Sequence, residues 1–193
     1  MPFSSRRFWS TIICSLALAA CDSSAQFKST DITGAPYGQS LELTDHTGKP
    51  RRLEDFRGKA VVLFFGFTHC PDICPTTLAD ISHAIKQLGP DADRVQMLMV
   101  SIDPERDTPE SLAKYVTAFD PRFLGLRGDL AATKKVAAEF KIYFEKRKQG
   151  DSYTVDHSAQ SYVIDPQGRL RLLVRHDRIA QDLAPDLRTI LRG

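Results

Sequence analysis

Two cysteines, Cys70 and Cys74, stand in the stretch FFGFTHCPDICPTT (residues 64–77), with three residues between them and a proline after each. Thiols placed this way have three chemical uses. They can form a disulfide couple, act as a peroxide-reactive nucleophile with a resolving partner, or supply two soft ligands to a metal ion. Two structural core cysteines are the plain alternative, but a proline-flanked loop is a poor core site.

A metal site needs more than two thiolates, so the five histidines come next. His46 falls in a turn, His83 on the polar side of a helix and His176 after the last strand, and all three read as solvated. His69 adjoins Cys70, but strand alternation points its side chain away from its neighbour. His157, in TVDHSAQSYVID, precedes a core strand whose start could approach the thiol loop; spacing alone leaves its role open. Two thiolates and an imidazole would form a soft, three-coordinate set. Thiolate softness favours Cu(I), imidazole keeps Cu(II) accessible, and structural zinc would want a fourth protein ligand that is not evident. Asp103, in SIDPERDTPE, ends the second core strand. It is expected either to accept a hydrogen bond beside the thiol loop or to cap its own turn. Asp72 reads as solvent-facing or helix-capping, and Lys146 to Lys148 as a solvated hairpin tip.

These residues depend on the elements that position them. SLELTDHTGKPRRL holds two short extended runs around a turn, a hairpin signal. KAVVLFFGF (59–67) is a β-branched and aromatic run suited to a strand buried on both faces. TTLADISHAIKQLG is helical, with Leu78, Ile81, Ile85 and Leu88 at helical spacing and Gly89 as a stop. RVQMLMVSID is a second buried strand, and Thr108-Pro109-Glu110 opens a capped helix. A short strand at RFLGLRG, a helix at LAATKKVAAEFKI and a hairpin with its tip at 149–151 follow. Two strands around Asp165–Gly168 and a last helix, kinked or restarted at Pro185, complete the chain. The order argues an α/β fold of thioredoxin-like type, a central mixed sheet flanked by helices with an N-terminal β-hairpin. Cys70 and Cys74 then sit where the first core strand hands over to its helix, a place where ligands and reactive groups gather. Cys74 lies near a helix N-terminus, where the dipole favours a thiolate. Pro71 is acceptable at a first helical position.

The N-terminus has a different character. Arg6 and Arg7 precede FWSTIICSLALAA, an apolar run too short to span a bilayer, and this reads as a secretory signal peptide over residues 1–20. Its end, LAAC, resembles the bacterial lipobox, so Cys21 is expected to be lipidated and Asp22 to favour retention at the inner membrane. Residues 21–35 read as a flexible tether and 36–193 as the domain. Loss of Arg6 and Arg7 reduces 26 basic residues to 24, against 24 acidic. The exported domain is thus near neutral, and nothing points to nucleic acid. Cys14 leaves with the signal, so only Cys70 and Cys74 remain as thiols, too few for a disulfide scaffold.

FTHCPDICPTT, SIDPERDTPE and VDHSAQSYVID together resemble the Sco/SenC family of copper-binding proteins, over motifs spanning residues 67–165. The resemblance implies a thioredoxin-like fold that binds one copper ion, as Cu(I), Cu(II) or both, through Cys70, Cys74 and His157. It implies assembly of the dinuclear CuA centre of cytochrome c oxidase, with the oxidase's copper-bearing subunit as partner. Other periplasmic copper chaperones or thiol oxidoreductases are further partners, on the periplasmic face of the bacterial inner membrane. A carrier of this kind is more a chaperone than an enzyme. Rival readings use the same cysteines: a thiol–disulfide reductase that keeps the oxidase cysteines reduced, or a redox or copper sensor. A peroxiredoxin-like site would place its threonine three residues before the cysteine, whereas Thr68 stands two before Cys70.

Overall fold

The computed structural model describes Met1 and residues 26–193; the expected signal peptide, Cys14 and the lipidation site Cys21 lie outside the described residues. Among the described residues no helix is long and apolar enough to cross a membrane.

Ten strands and four α-helices are found among the described residues. In order they are β1 (Thr30–Asp31), β2 (Glu42–Asp45), β3 (Pro50–Arg52), β4 (Ala60–Gly66), α1 (Ile73–Lys86), β5 (Val95–Ser101) and α2 (Pro109–Thr117). After these come β6 (Leu124–Arg127), α3 (Leu130–Glu139), β7 (Phe144–Gln149), β8 (Ser152–His157), β9 (Ser161–Ile164), β10 (Leu170–Val174) and α4 (Ile179–Arg192). Eight strands form one mixed sheet in the order β1-β10-β9-β4-β5-β6-β2-β3, and β7 pairs only with β8. β4, β5 and β6 run parallel, while β9 is antiparallel to β4. The β4 sequence AVVLFFG is buried at every position, as a central strand covered on both faces must be. α1 packs against α4, and α2 against β6. The result is the expected mixed α/β sheet flanked by helices, with the hairpin β2–β3 near its start.

Local chemistry sets the helix ends. Thr108 caps α2 by accepting from Ser111 N–H, with Pro109 in the first turn, and Asp129 caps α3 by accepting from Ala132 N–H. α3 ends at Glu139, earlier than the sequence suggests, because Lys141 takes a left-handed backbone (φ 55°) and Ile142 N–H returns to Ala137 C=O. α4 runs unbroken through Pro185.

Residues 28–35, expected within the tether, lie on the domain. Lys28 and Ser29 donate their backbone N–H groups to the buried Asp186 carboxylate at 2.8 Å, and β1 pairs with β10. A short polar segment with little apolar content reads as linker, but here its backbone groups find partners on the sheet edge and α4.

Candidate metal centre

β4 ends at Gly66, and the chain leaves the sheet through Phe67, Thr68 and His69 to reach Cys70. A fully buried carboxylate, Asp107, fixes this exit. It accepts from Thr68 Oγ1 at 2.6 Å, from Thr68 N–H at 3.2 Å and from Ser101 Oγ at 2.6 Å. His69 Nδ1 lies 3.1 Å from Thr68 Oγ1 and 3.8 Å from Asp107, with its side chain half exposed.

α1 begins at Ile73, with Asp72 as an exposed N-cap whose side chain makes no capping bond. Pro71 therefore precedes the helix, and Pro71 and Asp72 form a bend that leads into its first residue, Ile73. The first-turn N–H groups of a helix have no partner inside it. One of them, at Cys74, is donated to Cys70 Sγ at 3.4 Å. Pro75, in the same turn, has no N–H to leave unpaired. The prolines after each cysteine thus suit a helix start held by sulfur. Gly66 completes the pocket, because a Cβ there would stand 2.9 Å from Cys74 Sγ and 2.7 Å from the Phe64 ring.

His157 closes β8. Its Nε2 lies 3.8 Å from Cys74 Sγ and its Nδ1 lies 2.8 Å from the Ser158 carbonyl oxygen. An Nδ1–H donating to that carbonyl leaves the Nε2 lone pair facing the thiols. Phe64 and Phe67 meet the imidazole edge-on, at centroid separations of 6.4 and 5.9 Å. Ligand atoms of Cys70, Cys74 and His157 all lie within 4.8 Å of one another. A cleft of about 400 Å³ opens beside them, lined by Phe67, Cys70, Pro71, Ile73, His157 and Ala159 among others.

The two thiols are driven apart in acidity. A hydrogen bond from the Cys74 thiol is the main cause that brings Cys70 down to about 4; burial opposes it, and the N–H groups of Cys74 and Asp72 add to it. Cys74 is pushed up by the same hydrogen bond, by burial and by the charge on Cys70. At neutral pH the pair holds one thiolate and one shared proton, and a soft cation could take that proton's place.

Asp103 lies in the turn that follows β5. It is buried, but its carboxylate accepts from Tyr153 OH at 2.8 Å and from Arg106 Nε, and touches neither sulfur. Its backbone carbonyl caps the turn by accepting from the Arg106 and Asp107 N–H groups. The carboxylate that serves the thiol loop is Asp107, four residues on. Sequence reasoning passed over it because residue type does not separate a buried Asp from solvated neighbours such as Glu105. His46, expected to be solvated, accepts Gly125 N–H at 3.1 Å; His83 and His176 are exposed.

The SCO1/SenC family model matches residues 29–192. The chain is 38 % identical over 159 residues to the mitochondrial SCO2 homolog of Bos taurus, which covers 80 % of this chain and 60 % of that protein. It thus spans about three fifths of the length of the curated mammalian relatives it matches. Copper-bound ScoI of Bradyrhizobium japonicum superposes with a TM-score of 0.74 at 40 % identity, covering 80 % of this chain and 99 % of that one. Apo Sco1 of Thermus thermophilus gives a TM-score of 0.77 at 40 % identity, covering 88 % and 99 %. With almost all of its described residues matched, the chain belongs to the SCO1/SenC family.

Proposed function

We propose that this chain binds one copper ion, as Cu(I) or Cu(II), through Cys70, Cys74 and His157. It would deliver that ion to the copper-bearing subunit of a respiratory cytochrome c oxidase, for assembly of the dinuclear CuA centre. One observation carries the reading: two sulfurs and an imidazole nitrogen meet within 4.8 Å, in a family with copper-bound members from Bradyrhizobium japonicum and yeast. Thiolates suit Cu(I), and the imidazole extends the set to Cu(II). The ion is cargo, so it must leave. Cys70 is half-buried and borders the open cleft, whereas Cys74 is sealed. An acceptor thiolate would therefore reach the ion from the side of Cys70 and His157.

The thiol–disulfide reductase reading is favoured by one feature, the acidic Cys70 thiol beside a buried partner. Copper titration separates the two, followed by transfer to an apo acceptor fragment whose cysteines are already reduced. Transfer supports delivery; binding without transfer, with reduction of an oxidised acceptor, supports the reductase. Absence of copper binding overturns the copper reading. For location, the LAAC stretch supports lipidation at Cys21 and anchoring at the periplasmic face of a bacterial inner membrane, where other copper chaperones and thiol oxidoreductases would be further partners. Cys21→Ser should then release the protein from the membrane fraction or leave it unprocessed, and an unchanged fraction would refute the anchor.

A further inference from the structure

The hairpin β7–β8 that carries His157 has no ladder bond to the eight-stranded sheet. β7 is exposed at every residue after Phe144. Something else must hold β8 against the body, since a lone two-stranded hairpin is marginal in water.

Val155 packs into the core from the middle of β8, and Arg106 and Asp103 hold Tyr153, which lies four positions before His157 on the same face of the strand. Arg106 sits with its guanidinium carbon 3.8 Å from the Tyr153 ring centroid, and its Nη1 donates to the Tyr153 carbonyl at 3.0 Å. Asp103 accepts from the Tyr153 hydroxyl with one oxygen and from Arg106 Nε with the other. Ladder parity explains why that carbonyl is free. Ser158 N–H bonds Tyr143 C=O across the base of the hairpin, so Tyr153, Val155 and His157 belong to the alternate set, whose backbone groups point away from β7. Arg106 also lies 5.8 Å from the Phe67 ring, and Phe67 is one of the two rings that meet His157 edge-on. Lys146 joins from the far strand, 4.6 Å from the Tyr153 ring and 2.6 Å from Glu105. Arg106 Nη2 is buried with no partner. A cation left half-satisfied in this way is a poor stability device, since an unpaired buried donor costs free energy.

We propose that Arg106 and Tyr153, bridged by Asp103, are positioning residues for His157: they latch the hairpin to the loop after β5 and so set whether the imidazole stands beside the two thiols. The inference rests on the reading that His157 is a copper ligand. Latched, the site has three donors and accepts Cu(II). Unlatched, it keeps two thiolates, which suffice for Cu(I).

The test uses Arg106→Lys, which keeps the charge but loses the planar stack and the forked bonds, and Tyr153→Phe, which removes only the hydroxyl bond to Asp103. Both should raise amide hydrogen exchange over residues 144–157 in the copper-free protein. Arg106→Lys should lower Cu(II) affinity by about 10–100-fold, the usual loss for a partner outside the ligand shell, and shift the Cu(II) absorption bands. Cu(I) affinity should stay within about threefold, because both thiolates remain. Tyr153→Phe should act in the same direction and less. Unchanged exchange in both variants overturns the latch; faster exchange with an unchanged Cu(II) spectrum overturns its role in placing His157. If the unmodified protein bound no copper, the proposed function would fail, while hydrogen exchange would still decide whether the latch exists.

Discussion

The thiol loop and the β7–β8 hairpin face each other across one cleft, yet the molecule treats them differently. The thiol loop grows from a strand buried along its whole length and leads into a helix whose Cys74 is 0 % exposed, over a carboxylate that ties down Thr68. The hairpin forms a sheet of its own, exposed along β7 and fastened through buried Val155 and the contacts of Tyr153. Two donors therefore belong to the folding core and one to an appendage. Local stability varies across a structure in this way, and elements that must move come from its weak end. In the proposed function such a division would suit a carrier: the core would keep the thiols ready for Cu(I), and the hairpin would decide when a third donor is present.

Loss of a sulfur should break the comparison outright. Cys70→Ser and Cys74→Ser each leave one thiolate, and tight Cu(I) binding should vanish in a competition titration, by more than the about 10–100-fold typical of outer partners. Retained Cu(I) affinity in either variant would remove that cysteine from the site. The acidity of Cys70 offers a finer probe. Cys74→Ala takes away the main cause of its lowered value. Alkylation of Cys70 should persist down to about pH 4 in the unmodified protein, where the thiolate survives, and retreat to higher pH in the variant. An identical pH profile would show that Cys74 does not hold the Cys70 thiolate.

His157→Ala tests the appendage alone. Cu(II) affinity should fall more than tenfold and the visible spectrum should change, while Cu(I) stays coordinated between the thiolates. If Cu(I) affinity fell as far as Cu(II), the histidine would belong with the rigid half. Gly66→Ala tests the opposite side. Its new methyl would meet Cys74 Sγ and the Phe64 ring. Overpacking should cost about 1–3 kcal/mol in denaturant unfolding, with the sulfur displaced; a stability unchanged by the substitution would mean that the strand end yields.

How legible this was follows the same division. The buried strands announced themselves through continuous apolar runs, and the thiols through type, spacing and prolines, because local sequence dictates both. His157 was not chosen by spacing, since its approach to the thiols depends on a hairpin packed from 83 residues away; the family motif supplied it. Asp107, Arg106 and Tyr153 were passed over for a related reason. A carboxylate, a cation and a phenol in polar loops read as solvated until the fold buries them. Residues 28–35 failed in the opposite sense, as polar backbone that the sheet edge captured.

The hairpin β2–β3 supplies a contrast in which a hairpin is built only to be stable. It is stitched into the main sheet through β6, and buried Asp45 gathers Thr47 Oγ1 at 2.6 Å, Arg51 Nε at 2.7 Å and the Thr47 and Lys49 N–H groups. Burial would raise the Asp45 carboxyl, but those bonds outweigh it and hold the group down to about 2, from an ordinary 3.8. Because the folded value is the lower one, the stability it contributes is complete above about pH 4 and is lost as pH falls from there towards 2. A shift of this size corresponds to roughly 2 kcal/mol. Asp45→Asn should therefore lower unfolding stability at pH 7 by roughly that amount. The deficit relative to the unmodified protein should close as the pH approaches 2. Copper affinity and hydrogen exchange over residues 144–157 should not change, because the two hairpins share no fastening. If Asp45→Asn loosened the β7–β8 hairpin as well, the two regions would be one cooperative unit, and the separation between a rigid pair of thiols and a releasable histidine would not hold.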